Sequence, residues 1–169
     1  MTATAAPADP LTLRAGGADD LAAVNAVVEQ AVRTWKLSER VLGLSLPSYR
    51  YGAHDLGFLE LLVAEDAQDG IVGVAGFEPA ESNDCPAQSR GLLLHGLYVR
   101  PDRQRSGIGR RLLTAVIAAA RERGYPGVLV KAQADSAGFF AALDWHPVPV
   151  GDGQRDYPYR FWKPVTDHE

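Results

Sequence analysis

The segment Leu92–Leu113, LLLHGLYVRPDRQRSGIGRRLL, carries the clearest structural pattern in the chain. Its first part, Leu92–Val99, is rich in leucine and predicts a buried strand, which Pro101 ends because proline cannot donate a hydrogen bond to a sheet. A turn rich in glycine and arginine follows. Over Gly109–Arg123 apolar residues recur every three or four positions, which predicts an amphipathic helix, and Gly124 is a suitable residue to end it.

A strand that passes through such a turn into a helix is typical of an anion-binding site. The first N–H groups of a helix have no partner within it, and the helix dipole makes their surroundings positive. Gly107 and Gly109 allow a bulky anion to approach that backbone. Four arginines add positive charge nearby: Arg103, Arg105, Arg110 and Arg111. The sequence therefore predicts that this turn binds a phosphate or pyrophosphate.

Two common nucleotide-binding patterns do not fit this segment. The P-loop pattern requires Gly-Lys followed by Ser or Thr, and the segment contains no lysine. The dinucleotide pattern requires a third glycine and then an acidic residue at the end of the next strand. The sequence has Leu112 and Lys131 at those positions. Neither pattern is therefore assigned.

Composition narrows the class of protein further. The chain has 169 residues, which fits one domain, and a formal net charge of −4. Mild acidity argues against a nucleic-acid surface, although Arg100–Arg123 contains seven arginines and only two acids. The single Cys85 excludes an internal disulfide and a cysteine-based zinc cluster. Residues 1–10 predict a disordered tail without a signal-peptide pattern, and no apolar run is long enough to span a membrane, so a cytoplasmic location is expected.

The remaining segments predict one mixed α/β domain over residues 11–165. In chain order the predicted elements are a strand at 11–14, a helix with Asp19 as its N-cap, a broken helix and loop at 38–57, strands at 59–65 and 71–77 that form a hairpin, a strand at 127–132, a short helix at 136–143, and closing strands at 145–150 and 159–163 around a turn at 151–153. A helix connects the strands at 92–99 and 127–132, so these two are expected to be parallel.

The glycine-rich turn resembles motif A of the GNAT superfamily of N-acetyltransferases, whose core is Gln/Arg-x-x-Gly-x-Gly/Ala. The resemblance implies the GNAT fold, a mostly antiparallel sheet flanked by helices, with one parallel strand pair splayed at the cofactor site. It also implies that the turn holds the pyrophosphate of acetyl-CoA. The residues expected at this cofactor are Leu97, Val99, Gln104, Arg105, Ser106, Gly107, Ile108, Gly109 and Arg110.

A second segment resembles motif B of the same superfamily, Asn-x-x-Ala-x-x-Phe/Leu-Tyr-x-x-x-Gly-Phe. Gln133 stands in place of the asparagine, and it joins Phe139 among the expected cofactor-binding residues. Asp144 replaces the glycine that ends the helix, and aspartate tolerates the left-handed conformation better than most residues. Phe140 replaces the tyrosine that often protonates the leaving CoA thiolate. The thiolate then leaves unaided, or Tyr98 or a water supplies the proton.

The implied reaction transfers acetyl from acetyl-CoA directly to a primary amine, so a base must remove a proton from that amine. His95 is the first candidate, because imidazole titrates near neutrality and LHGLYV resembles the serotonin N-acetyltransferase branch, in which a histidine at this strand position has that role. The alternative is a hydrogen-bonded core histidine. Strict alternation places His95 on one face with Leu93 and Leu97, and Tyr98 on the other, unless a bulge intervenes. Glu78 is a second candidate, as a base or as a ligand of the substrate ammonium.

Segments with little pattern, 38–57 and 151–159, are expected to frame the acceptor pocket. Its candidate residues are Trp35, Tyr49, Tyr51, Tyr157 and Tyr159. We therefore expect an N-acetyltransferase that uses acetyl-CoA as co-substrate, needs no metal and acts on a small-molecule amine. The alternatives are a protein or peptide N-terminal acetyltransferase and a non-catalytic acyl-CoA-binding sensor. No nucleic-acid or membrane partner is expected, and a homodimer is left open.

Overall fold

The computed structural model describes residues 10–132, 134–149 and 159–165, without the side chains of residues 134 and 135. These residues form a seven-stranded sheet in the order β1-β2-β3-β4-β5-β7-β6. The strands are β1 (Leu11–Gly16), β2 (Glu60–Asp66), β3 (Gly70–Pro79), β4 (Leu92–Val99), β5 (Gly127–Ala132), β6 (His146–Pro147) and β7 (Tyr159–Pro164). The helices are α1 (Leu21–Val32), α2 (Glu39–Tyr49), α3 (Ile108–Glu122) and α4 (Ala134–Ala142). The expected N-terminal tail (residues 1–9), Gln133, the turn at 151–153 and Tyr157 lie outside the described residues.

The sheet contains one parallel strand pair, as the sequence predicts. β4 and β5 pair in parallel, with Leu92 opposite Val128 and Leu94 opposite Val130. Their pairing stops there, because β4 continues to Val99 along β3 while β5 continues along β7. All other neighbouring strands are antiparallel. The parallel pair is therefore splayed beyond Leu94, which opens one edge of each strand.

Two apolar cores cover the two faces of the sheet. On one face α3 packs through fully buried Leu112 and Val116. Gly73 of β3 permits this close approach, since a Cβ there would lie 2.9 Å from Cγ2 of Ile108. On the other face α1 and α2 pack against β2, β3 and Tyr98 of β4. Within the described residues, no helix has both the length and the apolar character needed to cross a membrane.

The first two helices differ from the sequence-based expectation. A short 3-10 turn precedes α1, so Asp20 and not Asp19 is the N-cap, and its carboxylate binds the Arg14 guanidinium and the Gly17 N–H instead of capping α1. The predicted broken helix is wrong too, because α2 is one 11-residue helix. Its Pro47 falls in the last turn, so the hydrogen bond that proline removes lies at the end of the helix.

The helix ends at Gly124 and Asp144 agree with the prediction. Both have a left-handed backbone, with φ of +74° and +63°. β6 is shorter than predicted, because it comprises His146–Pro147 while Trp145, Val148 and Pro149 lie outside it. The other predicted strands and α3 lie within one or two residues of the observed bounds.

Candidate active site

A cavity of about 1040 Å³ lies where β4 and β5 diverge. It extends from the start of α3 to the segment between α1 and α2. From the start of α3 to the far end, its principal lining residues are Arg105, Gly107, Gly109, Arg110, Phe139, Val99, Leu97, His95, Tyr98, Tyr49, Trp35 and Lys36. Most of the residues expected from the sequence therefore meet in one space.

The start of α3 forms one end of this cavity. Gly107 is the N-cap with φ of +86°, a conformation that glycine adopts without strain, and a Cβ built on it would meet no atom within 4 Å. The loop is held by its own side chains: Gln104 Nε2 donates to the Val99 carbonyl at 3.2 Å, and the Ser106 hydroxyl donates to the Arg103 carbonyl. The Ser106 side chain is therefore used within the loop, and Ser106 is not among the described residues that line the cavity.

Positive charge at this end comes from fewer arginines than the sequence suggests. Arg105 and Arg110 are exposed, line the cavity and pair with no carboxylate in the described part of the chain. Arg103 also lines it, but its guanidinium binds Asp66 at 3.0 Å and Asp69 at 3.1 Å. Backbone N–H groups and this guanidinium lower the pKa of Asp66 to about 2. The charge of Arg103 is thus offset by the turn between β2 and β3.

A β-bulge sets which side chains of β4 face the half of the cavity that lies toward α1 and α2. Gly76 pairs with Gly96 and Phe77 pairs with Leu94, so His95 is the extra residue. Beyond the bulge the alternation is inverted: Leu97 packs on the α3 side, while Tyr98 belongs to the core under α1 and α2. The expectation that His95 shares a face with Leu97 is therefore wrong. His95 and Tyr98 lie on the same side of the sheet.

His95 and Tyr98 are both available to a ligand in the cavity. His95 is exposed and lines the space, so the alternative of a core histidine is wrong. Its Nδ1 lies 3.5 Å from Oη of Tyr51. Tyr98 is only 7% exposed, and burial raises the pKa of its phenol well above the ordinary value. Tyr98 is thus a protonated hydroxyl beside the candidate base.

The structure does not place Glu78 with His95 and Tyr98. It lies within β3, paired with Leu93, and not after the strand as the sequence suggests. It is half-buried and outside the cavity lining of the described chain. Its charge reaches Tyr51, where it adds to the burial that raises the phenol pKa. The structure therefore gives Glu78 no contact with the reacting groups.

Aromatic side chains line the end of the cavity near α1 and α2. Trp35 meets Tyr49 edge-on at 5.2 Å between ring centroids and stacks on Tyr98 at 6.4 Å. Three polar residues that the sequence analysis missed, Thr34, Lys36 and Ser48, line the same end. They carry no sequence pattern, because the packing of α2 on α1 brings them together. Two other expected pocket residues lie elsewhere: Tyr51 is buried behind His95, and Tyr159 is exposed on β7.

The tyrosine position of motif B is occupied by a buried phenyl group. Phe140 is 3% exposed and packs against Phe139 and Trp145, each at 5.2 Å, and against Phe161 at 6.0 Å. Phe139 itself borders the cavity next to Gly109.

Within the described residues, no group of three or more His, Cys, Asp or Glu side chains is arranged to hold a metal ion.

A mixed sheet splayed at a glycine-capped helix, with a cavity along the splay, defines an acyl-CoA N-acyltransferase fold. Residues 58–147 match the family model of the acetyltransferase (GNAT) domain, and the chain belongs to this family. A relative in Pseudomonas paraeruginosa, an L-methionine sulfoximine/L-methionine sulfone acetyltransferase, is 30% identical over 118 residues. That match covers 67% of this chain but only 65% of the relative.

Solved structures of the family share the fold. A GCN5-related N-acetyltransferase from Ralstonia eutropha JMP134 matches with a TM-score of 0.70 at 22% identity, over 84% of this chain and 96% of that one. A GNAT acetyltransferase from Brucella melitensis, crystallised with acetyl-CoA, matches with a TM-score of 0.64 at 20% identity, over 92% and 88%. The fold expected from motif A is thereby confirmed.

Proposed function

We propose that this protein transfers the acetyl group of acetyl-CoA directly to a primary amine of a small molecule. One observation carries the proposal: a single cavity joins the glycine-capped start of α3 to His95 at the bulge of β4. An anion site and a titratable base at the two ends of one space suit a reaction between a phosphate-bearing donor and an amine.

Acetyl-CoA fits the residues at the donor end. The free N–H groups of the first turn of α3 would bind its pyrophosphate, with Arg105 and Arg110 adding charge. The pantetheine arm would lie along the open edge of β4 at Leu97 and Val99, where backbone groups have no partner on β5. Phe139 would cover its apolar side. Acetyl-CoA supplies the activated thioester carbonyl.

The acceptor end carries the proton transfers. His95 removes a proton from the ammonium group, and the neutral amine then attacks the thioester carbonyl carbon. Backbone N–H groups in Leu97–Val99 stabilise the tetrahedral oxyanion. When this intermediate collapses, the C–S bond breaks and the amide forms. The second proton of the attacking nitrogen goes to the departing thiolate, and Tyr98, which lines the cavity and keeps its own proton because burial raises the pKa of its phenol, donates a hydrogen bond to that sulfur.

An acceptor that carries a carboxylate suits the far wall best. The named relative acts on derivatives of L-methionine, which carry an α-amine and a carboxylate. Here Lys36 places an exposed ammonium group at the cavity, beside the aromatic surfaces of Trp35 and Tyr49. These groups would bind the carboxylate and an apolar side chain respectively. A non-catalytic acyl-CoA sensor is the second candidate, and Phe140 favours it because this residue cannot donate a proton.

A thiol-release assay tests the proposal. Protein and acetyl-CoA are incubated with amino acids, methionine sulfone and sulfoximine, polyamines and peptides, and free CoA is measured. We expect release with small amines, more with those that carry a carboxylate, and less with Lys36→Ala. Thermal stabilisation by acetyl-CoA without thiol release on any amine would establish the sensor instead. No stabilisation at saturating acetyl-CoA would refute the donor site.

A further inference from the structure

We propose that Tyr51 is a positioning residue: its hydroxyl oxygen accepts a hydrogen bond from Nδ1–H of His95 and so leaves Nε2 unprotonated for the substrate amine. The inference rests on the proposed role of His95. A neutral imidazole carries one proton on its two ring nitrogens, so the partner of one nitrogen decides what the other can do. Only a bare Nε2 can receive the proton of the amine.

Tyr51 contacts His95 from behind the cavity. The phenol is 3% exposed and is not part of the cavity lining in the described chain, whereas His95 is exposed and lines it. Within the described residues, Nδ1 of His95 at 3.5 Å is the hydrogen-bond partner of Tyr51 Oη, and the tautomer of the imidazole decides which of the two atoms donates. The proposed role of His95 needs a bare Nε2, so the proton of the neutral ring is assigned to Nδ1. With Nδ1 turned toward a buried residue, Nε2 is the ring nitrogen left for the cavity.

A pair of glycines makes room for the Tyr51 hydroxyl at the bulge. Gly76 and Gly96 are cross-strand partners on β3 and β4. A Cβ would lie 2.7 Å from Tyr51 Oη if built on Gly76, and 2.6 Å from it if built on Gly96. Both distances are shorter than a Cβ tolerates, so any side chain at either position would displace the phenol. The bulge that exposes His95 thus also provides the space for its partner.

The backbone of Tyr51 is fixed by side chains of two other segments. The Asn25 amide of α1 binds it twice: Nδ2 donates to the Tyr51 carbonyl, and Oδ1 accepts from the Tyr51 N–H, each at 2.8 Å. In the next turn the Gly52 N–H donates to Asp55 Oδ2 at 2.7 Å. These contacts order the residue before any ligand binds. A pre-ordered hydrogen-bond partner is what a catalytic imidazole needs to keep one tautomer.

The surroundings keep the Tyr51 hydroxyl uncharged. Burial raises the phenol pKa far above its ordinary value, and the nearby Tyr98, Asp55 and Glu78 raise it further. Tyr51 therefore remains a neutral hydroxyl while His95 exchanges protons. This excludes Tyr51 as the base itself and agrees with a positioning role.

Nitrogen NMR of the full chain tests the tautomer directly. With 15N-labelled histidine, and with His95→Gln to assign the signals, we expect His95 in the Nδ1–H form at a pH where it is neutral. In Tyr51→Phe the ring is retained and the hydroxyl is lost, so we expect a mixture of tautomers. A wild-type His95 in the Nε2–H form, or an unchanged spectrum in Tyr51→Phe, would overturn the proposal.

Kinetics provide the second test. We expect Tyr51→Phe to lower kcat about two- to tenfold, the range that one neutral hydrogen bond allows, with KM for acetyl-CoA unchanged. Gly76→Ala should give the same loss although the hydroxyl is present, since the new methyl displaces it. Tyr125→Phe, a partly buried tyrosine that stacks under Arg90 at 5.0 Å, is the matched control and should leave kcat unchanged.

The proposed function and the proposed role of Tyr51 can be refuted independently of each other. Absence of turnover by the wild-type protein on every amine would remove the proposed function, while the NMR measurement would still decide whether Tyr51 sets the tautomer. Full turnover by Tyr51→Phe with an unchanged spectrum would remove the role of Tyr51 and leave the proposed function intact.

Discussion

Replacing Gly107 with alanine tests the anion site, and Gly124→Ala is its matched control at the other end of α3. Both glycines have positive φ, +86° and +74°, and a Cβ on either would meet no atom within 4 Å. The two substitutions therefore introduce the same backbone strain at opposite ends of α3. A left-handed backbone costs a residue with a Cβ roughly 1–2 kcal/mol. In a chain of this size we expect each variant to lose about 2–8 °C in Tm without ligand, at about 2–4 °C per kcal/mol.

Acetyl-CoA should raise the Tm of the two variants by different amounts. At acetyl-CoA a hundredfold above Kd, binding stabilises the native protein by about 2.7 kcal/mol, which is about 5–11 °C on the same conversion. If the backbone of the Gly107→Ala variant relaxes toward negative φ, the first N–H groups of α3 no longer point to one place. A tenfold weaker affinity would remove about 1.4 kcal/mol, or about 3–6 °C, of that stabilisation. Gly124→Ala should keep the full shift.

Differential scanning fluorimetry with and without acetyl-CoA measures both quantities, and titration calorimetry gives Kd directly. Equal ligand-induced shifts in the two variants would refute the assignment of the pyrophosphate to the start of α3. A large loss of Tm in Gly107→Ala alone, without ligand, would show that the strain argument underestimates this position.

Three further predictions concern the role of His95 as the base, the stability of the protein at acid pH, and the packing of α3 against β3. His95→Ala should lower kcat by about 10²–10⁴ and retain the acetyl-CoA thermal shift, and an unchanged pH–rate profile would rule His95 out as the base. Because the pKa of Asp66 is lowered to about 2, its stabilising effect is present above the unfolded value near 3.9 and is lost as pH falls toward 2. Unfolding of Asp66→Asn should therefore depend less on pH over that interval, whereas an unaltered slope would contradict the ion-pair argument. Gly73→Ala should destabilise by about 1–3 kcal/mol through its contact with Ile108, and denaturant unfolding would show no change if α3 can shift freely.

Several features of the site follow from local sequence. The turn that ends in Gly107 has to pass through positive φ, and glycine is the residue that does so without strain. The glycine in the motif therefore predicts a left-handed backbone at this position. Leu92–Val99 forms a strand with the predicted bounds because its apolar run is bounded by a glycine and a proline. The splay of β4 from β5 was expected from the resemblance to the GNAT superfamily.

The charges around the turn that precedes α3 could not be predicted from local sequence. Arg103 lies beside Gln104 in the chain, yet its guanidinium binds Asp66 and Asp69, which are more than thirty residues away. Arg123 binds Glu60 in the same manner. A count of arginines in one segment therefore overstates the positive charge that a phosphate meets, because the neutralising carboxylates come from another turn.

The family, the strand–turn–helix unit and His95 as the candidate base could all be predicted from the sequence, because each depends on residues close together in the chain. The direction in which His95 points could not, because it depends on the pairing of β3 with β4. A period of two predicts that it shares a face with Leu97, and the pairing of Gly76 with Gly96 inverts that order by one residue. The same pairing admits the Tyr51 hydroxyl against the imidazole. Register between distant strands is a property of the assembled sheet, since it depends on which pairing best buries both faces.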